Sequence, residues 1–172
     1  MELFYSGGMN MVQFYSFRGT ITNISNFQMT TNDRSGCTKL FTVTNEFGAI
    51  VNFVVSPNTY VVDHITLSVG DRITGYYDGN APTPLIYPPQ YQALVLVKEQ
   101  PQQNVKVDYF NNQLISSDGQ LQINPSPFIK TLLTNSQTFT GNIANRNLIV
   151  IYGASTRSIP AQTTPMKIIV FC

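Results

Sequence analysis

The 172-residue chain carries 10 Lys and Arg against 9 Asp and Glu, for a net charge of +1, with one His, two Cys and no Trp. It contains no run of Lys or Arg, so a polyanion such as nucleic acid finds no electrostatic footprint. No apolar stretch approaches the roughly 18 residues of a membrane span, and a hydrophobic content of 42% argues against global disorder. Polarity comes from amides and hydroxyls instead: 16 Asn, 12 Gln, 18 Thr and 12 Ser. Such a surface hydrogen-bonds readily to copies of itself, and a near-neutral net charge removes the self-repulsion that keeps proteins apart.

Residues 1–17 read as an apolar, aromatic arm. Phe4 and Tyr5 precede a flexible Gly7-Gly8 joint, and Met9, Met11, Val12, Phe14, Tyr15 and Phe17 follow. The opening Met1-Glu2-Leu3-Phe4-Tyr5-Ser6 lacks a basic start and an apolar run, so no signal peptide is expected. The expected setting is assembly in the cytoplasm, with the cell or spore surface reached after lysis.

Beyond the arm the pattern is β throughout. Gly or Pro punctuates the chain about every ten residues, and the intervals are rich in Val, Ile, Thr, Tyr and Phe. Strands are predicted over 14–24, 38–45, 49–55, 71–78, 91–98, 105–110, 119–123, 147–152 and 166–171. Asn45-Glu46-Phe47-Gly48 and Ser117-Asp118-Gly119 read as hairpin turns, the second because Asp-Gly supplies positive φ at little cost. Residues 128–139 are ambiguous: Ile129, Leu132 and Leu133 have helical spacing, but three Thr favour a strand. Polar, Pro-containing residues 100–104 form the best linker. The division is then arm 1–17, barrel 18–99, linker 100–104 and C-terminal β domain 105–172. Gly19-Thr20-Ile21-Thr22-Asn23 and Gly141-Asn142-Ile143-Ala144-Asn145 look faintly alike.

Few residues offer chemistry. His64 stands in Val61-Val62-Asp63-His64-Ile65, where strand neighbours point to opposite faces, and no nucleophile elbow accompanies it. Asp71 and Asp78 frame one strand at odd spacing and so face opposite sides. Asp63, Asp71 and Asp118 adjoin turns, where Asp serves backbone geometry. One His and two Cys make a poor zinc set, and no phosphate loop is present. No catalytic residue, metal or cofactor is expected. Cys37 and Cys172 pair within the chain, pair between chains or stay reduced; Cys172 is the better candidate for a link between subunits. The best ligand-binding candidates are the rings of Tyr76, Tyr77, Tyr87 and Tyr91, held by four prolines between Pro82 and Pro89. Such rings stack on sugars or bases.

The strand rhythm of residues 14–98, with Leu67-Ser68-Val69-Gly70-Asp71-Arg72-Ile73-Thr74-Gly75 entering a late strand, resembles an OB-fold barrel. The resemblance implies a fold, an all-β Greek-key barrel followed here by a second, sandwich-like β segment. Residues 80–91 resemble segments of uncharacterised proteins of spore-forming Firmicutes. The architecture is similar to endospore appendage subunits, which imply β-subunits joined by N-terminal arms and disulfides. Those arms carry cysteines, whereas residues 1–20 here have none.

The expected function is a self-assembling subunit of a fibre, spore-surface appendage or coat. Its partner is itself, and assembly residues are Phe4, Tyr5, Gly7, Gly8, Phe14, Tyr15 and Cys172. One alternative is a monomeric carbohydrate-binding module using Tyr76, Tyr77, Tyr87 and Tyr91. Another is a phage virion protein.

Overall fold

The computed structural model describes residues 11–28 and 36–172. The expected all-β class is observed: the described residues form thirteen strands and one three-residue 3-10 turn, Val62–His64. The chain divides into two compact units, Met1–Glu99 and Gln100–Cys172.

Unit 1 contains β1 (Phe14–Asn26), β2 (Lys39–Thr44), β3 (Ile50–Val55), β4 (Tyr60–Val61), β5 (Arg72–Asp78), β6 (Gln90–Gln92) and β7 (Val95–Lys98). β1 serves two partners. Residues Phe14 to Thr20 run antiparallel to β5, and Thr20 to Asn26 run antiparallel to β2. The two ladders meet at Thr20; at the preceding Gly19 a Cβ would sit 2.6 Å from the Thr44 carbonyl oxygen, and glycine permits that approach. A bulge between Ile21 and Asn23 adds curvature. β2 and β3 form the expected hairpin. The Asn45 side chain accepts hydrogen bonds from Phe47 N (3.0 Å) and Ala49 N (2.9 Å), and Gly48 takes φ 83°.

The sheet continues on both sides of β1 and β2, in the order β4-β7-β5-β1-β2-β3-β6. β3 pairs in parallel with β6, and β7 pairs antiparallel with β5, which returns to β1. Between β6 and β7, Ala93 N donates to Val54 O (3.0 Å) and Leu94 N to Tyr76 O (2.8 Å). The expected strand 91–98 is therefore split, its first part bonded to β3 and its second to β5. β4 adds at the far edge, parallel to β7. The Val-Gly-Asp turn docks on β1: Gly70 N donates to Ile21 O (2.8 Å), and Ile21 N to Asp71 O (2.9 Å). Inside lie Ile21, Phe41, Val43, Val51, Phe53, Ile73 and Leu96.

Unit 2 contains β8 (Asn104–Phe110), β9 (Leu121–Ile123), β10 (Lys130–Leu133), β11 (Arg146–Tyr152), β12 (Ala161–Thr163) and β13 (Lys167–Val170). One sheet has the order β10-β13-β11-β8; β9 and β12 form a parallel pair. Leu121 and Ile123 from that pair join Phe110, Leu148, Val150, Ile168 and Val170 in one core. Within the ambiguous stretch 128–139, Lys130–Leu133 is strand β10, paired in parallel with β13, and no helix forms. Residues Gln100 to Gln103 close a tight bridge, and Asn104 already opens β8, so the expected linker 100–104 is a turn. The two faintly similar stretches differ in structure: 19–23 is strand and 142–145 is loop.

Candidate functional site

An aromatic cleft forms at the end of unit 1 where β5 and β6 open into their connecting loop. Its floor follows from strand alternation. Ile73, Gly75 and Tyr77 share the inner face of β5. A Cβ on Gly75 would lie 2.5 Å from the Phe53 ring, so glycine here makes room for a fully buried phenylalanine. Register then assembles the rings. Phe53 is opposite Tyr91 in the β3–β6 ladder, and Tyr15 is opposite Tyr77 in the β1–β5 ladder. Tyr77 and Tyr91 stack at 3.9 Å and 6°, Tyr15 stands edge-on to Tyr77 at 6.0 Å, and Phe53 lies 6.2 Å from Tyr77. Gly79 completes the arrangement, since a Cβ there would meet the Tyr15 ring at 2.8 Å.

The loop above this floor is anchored at both ends. The Asp78 Oδ1 atom accepts from Asn80 N (2.9 Å) and Gln13 N (3.1 Å). Gly79 N donates to Gln13 O (2.7 Å), and the Asn80 side chain donates to Met11 O (3.3 Å). At the other end Asn52 N donates to Pro89 O (2.9 Å). Between the anchors, Leu85, Ile86 and Tyr87 are 102%, 54% and 78% exposed. The cleft beneath has a volume of about 260 Å³; Tyr77, Tyr91, Pro82, Pro84, Val12 and Leu94 supply its apolar walls. Burial, together with the neighbouring Tyr91 and Tyr15 hydroxyls, pushes the Tyr77 phenol up to about 12.

Of the four tyrosines proposed for ligand binding, the structure brings Tyr77 and Tyr91 together. Tyr76 points to the opposite face of β5, and Tyr87 stands at the exposed loop tip. Tyr15 completes the cluster; its part depends on the β1–β5 register, which no local pattern announces. Of the assembly residues, Phe4, Tyr5, Gly7 and Gly8 lie outside the described residues. Phe14 and Tyr15 do not belong to a free arm: both are in β1, paired with Asp78 and Tyr77 of their own chain. β1 begins at Phe14, so the last four residues of the expected arm 1–17 are strand paired with β5. Cys37 and Cys172 are exposed free thiols.

A second, more polar cleft of about 450 Å³ runs beside the first half of β1. It is lined by Ser16, Phe17, Arg18, Gly19 and Thr20 on one side and Thr44, Asn45, Glu46 and Phe47 on the other, with Arg72. Glu99 pairs with Arg18 (2.8 Å) and Arg72 (3.5 Å), and the Arg18 hydrogen bond holds its carboxyl below the usual range. Phe47, at the hairpin tip, is 87% exposed.

The remaining polar candidates serve the backbone. Asp71 accepts from Ser68 N (2.9 Å) across its turn. His64 has φ 51° and stands edge-on to Tyr60, 5.2 Å away. Among the described residues no three His, Cys, Asp or Glu side chains gather to hold a metal ion. No protein-family model matches the chain, and neither a curated protein nor a solved structure matches it.

Proposed function

We propose that this chain is a self-associating structural subunit of a fibre, appendage or coat. One observation carries the reading. The consecutive apolar side chains Leu85, Ile86 and Tyr87 project into solvent from a proline-held loop anchored at both ends. Single exposed hydrophobic residues are ordinary on protein surfaces; a contiguous projecting group is the mark of a contact surface. Prolines reduce the conformational freedom lost on docking, which favours association. The net charge of +1 leaves little long-range repulsion between copies. Analytical ultracentrifugation and negative-stain microscopy over a concentration series test the reading. Oligomers or filaments that grow with concentration support it, and a 19.2 kDa monomer at all concentrations refutes it.

The aromatic cleft favours a second reading, a carbohydrate-binding module. The reading draws on the resemblance of residues 14–98 to OB-type barrels, whose loops L12 and L45 bind oligonucleotides and oligosaccharides. Here the counterpart of L45 is residues 79–89, and the rings beneath it are Tyr77 and Tyr91. Saturable tyrosine-fluorescence changes with soluble oligosaccharides, abolished by Tyr91→Ala in a folded monomer, are the expected result under this reading.

A further inference from the structure

Three rings surround Tyr77. Tyr91 stacks on it, while Tyr15 and Phe53 approach it at 65° and 53°. Tyr91 is the outer member of the stack: among the described residues, Tyr77 is its one ring neighbour. Tyr91 also lines the cleft, so its second face is the one offered to a ligand. Every residue lining the cleft lies within the described chain. The platform is fixed, because the backbone of Tyr91 pairs with β3 opposite the fully buried Phe53 and its ring lies flat on Tyr77.

The polar lining of the cleft selects among ligands for a flat ring. Asp78 uses Oδ1 for both of its loop anchors, Asn80 N and Gln13 N, which leaves Oδ2, among the described residues, without a donor. Gln90, Gln92 and Thr83 line the cleft with it, and no Lys or Arg does. Nucleic acid needs cations for its phosphates. A polyproline segment offers carbonyl oxygens and, at proline, no N–H, so it leaves a carboxylate unanswered. A pyranose offers an apolar C–H face to the ring and hydroxyl donors at its rim, and a carboxylate accepts from hydroxyls in strong, charge-assisted bonds. A carboxylated sugar instead brings a second negative charge to Asp78 with no lining cation to offset it.

We infer that the cleft takes one neutral pyranose ring of an oligosaccharide, stacked on Tyr91, with its hydroxyls donating to Asp78 Oδ2 and bonded to the Gln90 and Gln92 amides, and that Asp78 turns acidic sugars away. The inference rests on the carbohydrate-binding reading above and deepens it by naming the sugar class and the residue that selects it. The size of the cleft sets the single ring: about 260 Å³ lies just under the roughly 300 Å³ at which small-molecule pockets begin.

Titration calorimetry on the full chain tests this. The probes are neutral hexasaccharides of glucose, galactose, mannose and N-acetylglucosamine, a galacturonate hexasaccharide, and decaproline. At least one neutral sugar is expected to bind, and galacturonate about ten-fold more weakly than the best of them. Asp78→Asn keeps an acceptor for the loop anchors but loses the charge. It should weaken the neutral sugar by about ten-fold and bring galacturonate to within a few-fold of it. Tyr91→Phe keeps the platform and should keep the affinity, whereas Tyr91→Ala should lose it. Circular dichroism and thermal unfolding establish that each variant is folded. If Tyr91→Ala unfolds, Tyr91→Phe and Asp78→Asn still decide. Wild type that binds galacturonate as tightly as the neutral sugars overturns the inference without any variant. So does a folded Asp78→Asn that changes neither affinity nor selectivity; in both cases the carbohydrate reading stands. If wild type binds no sugar, or binds decaproline instead, that reading and this inference both fall.

Discussion

Two loops of this molecule spend their side chains in opposite ways. In unit 2, the connections between β8 and β9 are knitted by polar groups. Asn111 accepts from Gln113 N and Ile115 N (2.9 and 3.1 Å), and Asp118 accepts from the Ser116 hydroxyl (2.7 Å) and Gln120 N (3.1 Å) and pairs with Lys106. Asp108 accepts in turn from Tyr109 N (2.8 Å) and Asp118 N (3.2 Å). In unit 1, the loop from Gly79 to Pro89 stands on packed rings, has prolines that donate nothing, and holds Leu85, Ile86 and Tyr87 out in solvent. The first loop has satisfied its own polar groups. The second keeps three apolar side chains in solvent, and the functional proposals rest on that difference.

The largest effect should come from disturbing the rings. Phe53 is fully buried and cannot retreat from a side chain added at Gly75, 2.5 Å away. Gly75→Ala is expected to destabilise unit 1 by about 1–3 kcal/mol, the usual range for overpacking. Urea unfolding followed by circular dichroism measures it. A loss below about 0.5 kcal/mol would mean that the ring cluster is loosely packed.

Breaking the polar loop should cost less. Asp118→Ala removes a charge-assisted pair with Lys106 and two turn hydrogen bonds, but the site is half-exposed and screened. A loss of about 1–2 kcal/mol is expected. Asp118→Asn, which retains the acceptor of the turn, should recover part of it.

The same contrast explains what the sequence disclosed. Asp118-Gly119 and Asn45-Gly48 are local devices whose turn chemistry depends on neighbours a few residues away, and both turns were legible. So were the long apolar strands, including β11 with Leu148 and the β-branched Ile149, Val150 and Ile151. The aromatic cleft was only half legible. Tyr77 and Tyr91 were singled out for their loop, but their stacking depends on ladders joining β1 to β5 and β3 to β6, which bring together residues tens of positions apart. The short strands β4 and β12 escaped for the same reason: each is made a strand by a distant parallel partner. The division of 91–98 at Ala93-Leu94 is likewise set by two different neighbours.

The loops should also answer to opposite ends of the pH scale. Burial first, and then Tyr91, raise the folded Tyr77 phenol from the ordinary 10.0 to about 12. A raised value in the folded state stabilises fully below 10.0, and that contribution is lost as pH rises through about 12. Tyr77→Phe should flatten this alkaline limb, read from unfolding midpoints between roughly pH 9 and 12. In unit 2, burial pushes the Asp118 carboxyl up, but the Lys106 and Ser116 hydrogen bonds outweigh it and leave the value lowered. Its contribution is present above the ordinary carboxylate range and is lost as pH falls through the lowered value. Asp108 is raised by burial and acts in the opposite sense, gaining relative stability as pH falls. Asp118→Asn should therefore make the acid limb shallower than wild type.

The smallest effect on stability belongs to the loop tip, and it most directly separates packing from recognition. Leu85 and Tyr87, at 102% and 78% exposure, make little contact with their own chain, so replacing both by Ser removes almost no native packing. The double substitution should change unfolding free energy by no more than about 0.5 kcal/mol, the range of ordinary surface substitutions. Its effect on association should be the reverse. An apolar side chain covered by a neighbour contributes about 1.5–3 kcal/mol, so losing two should weaken self-association by ten-fold or more even after ordering costs. Sedimentation equilibrium of the folded double variant decides the matter. Weakened association at unchanged stability places the contact at this tip. Unchanged association moves the contact elsewhere on the surface.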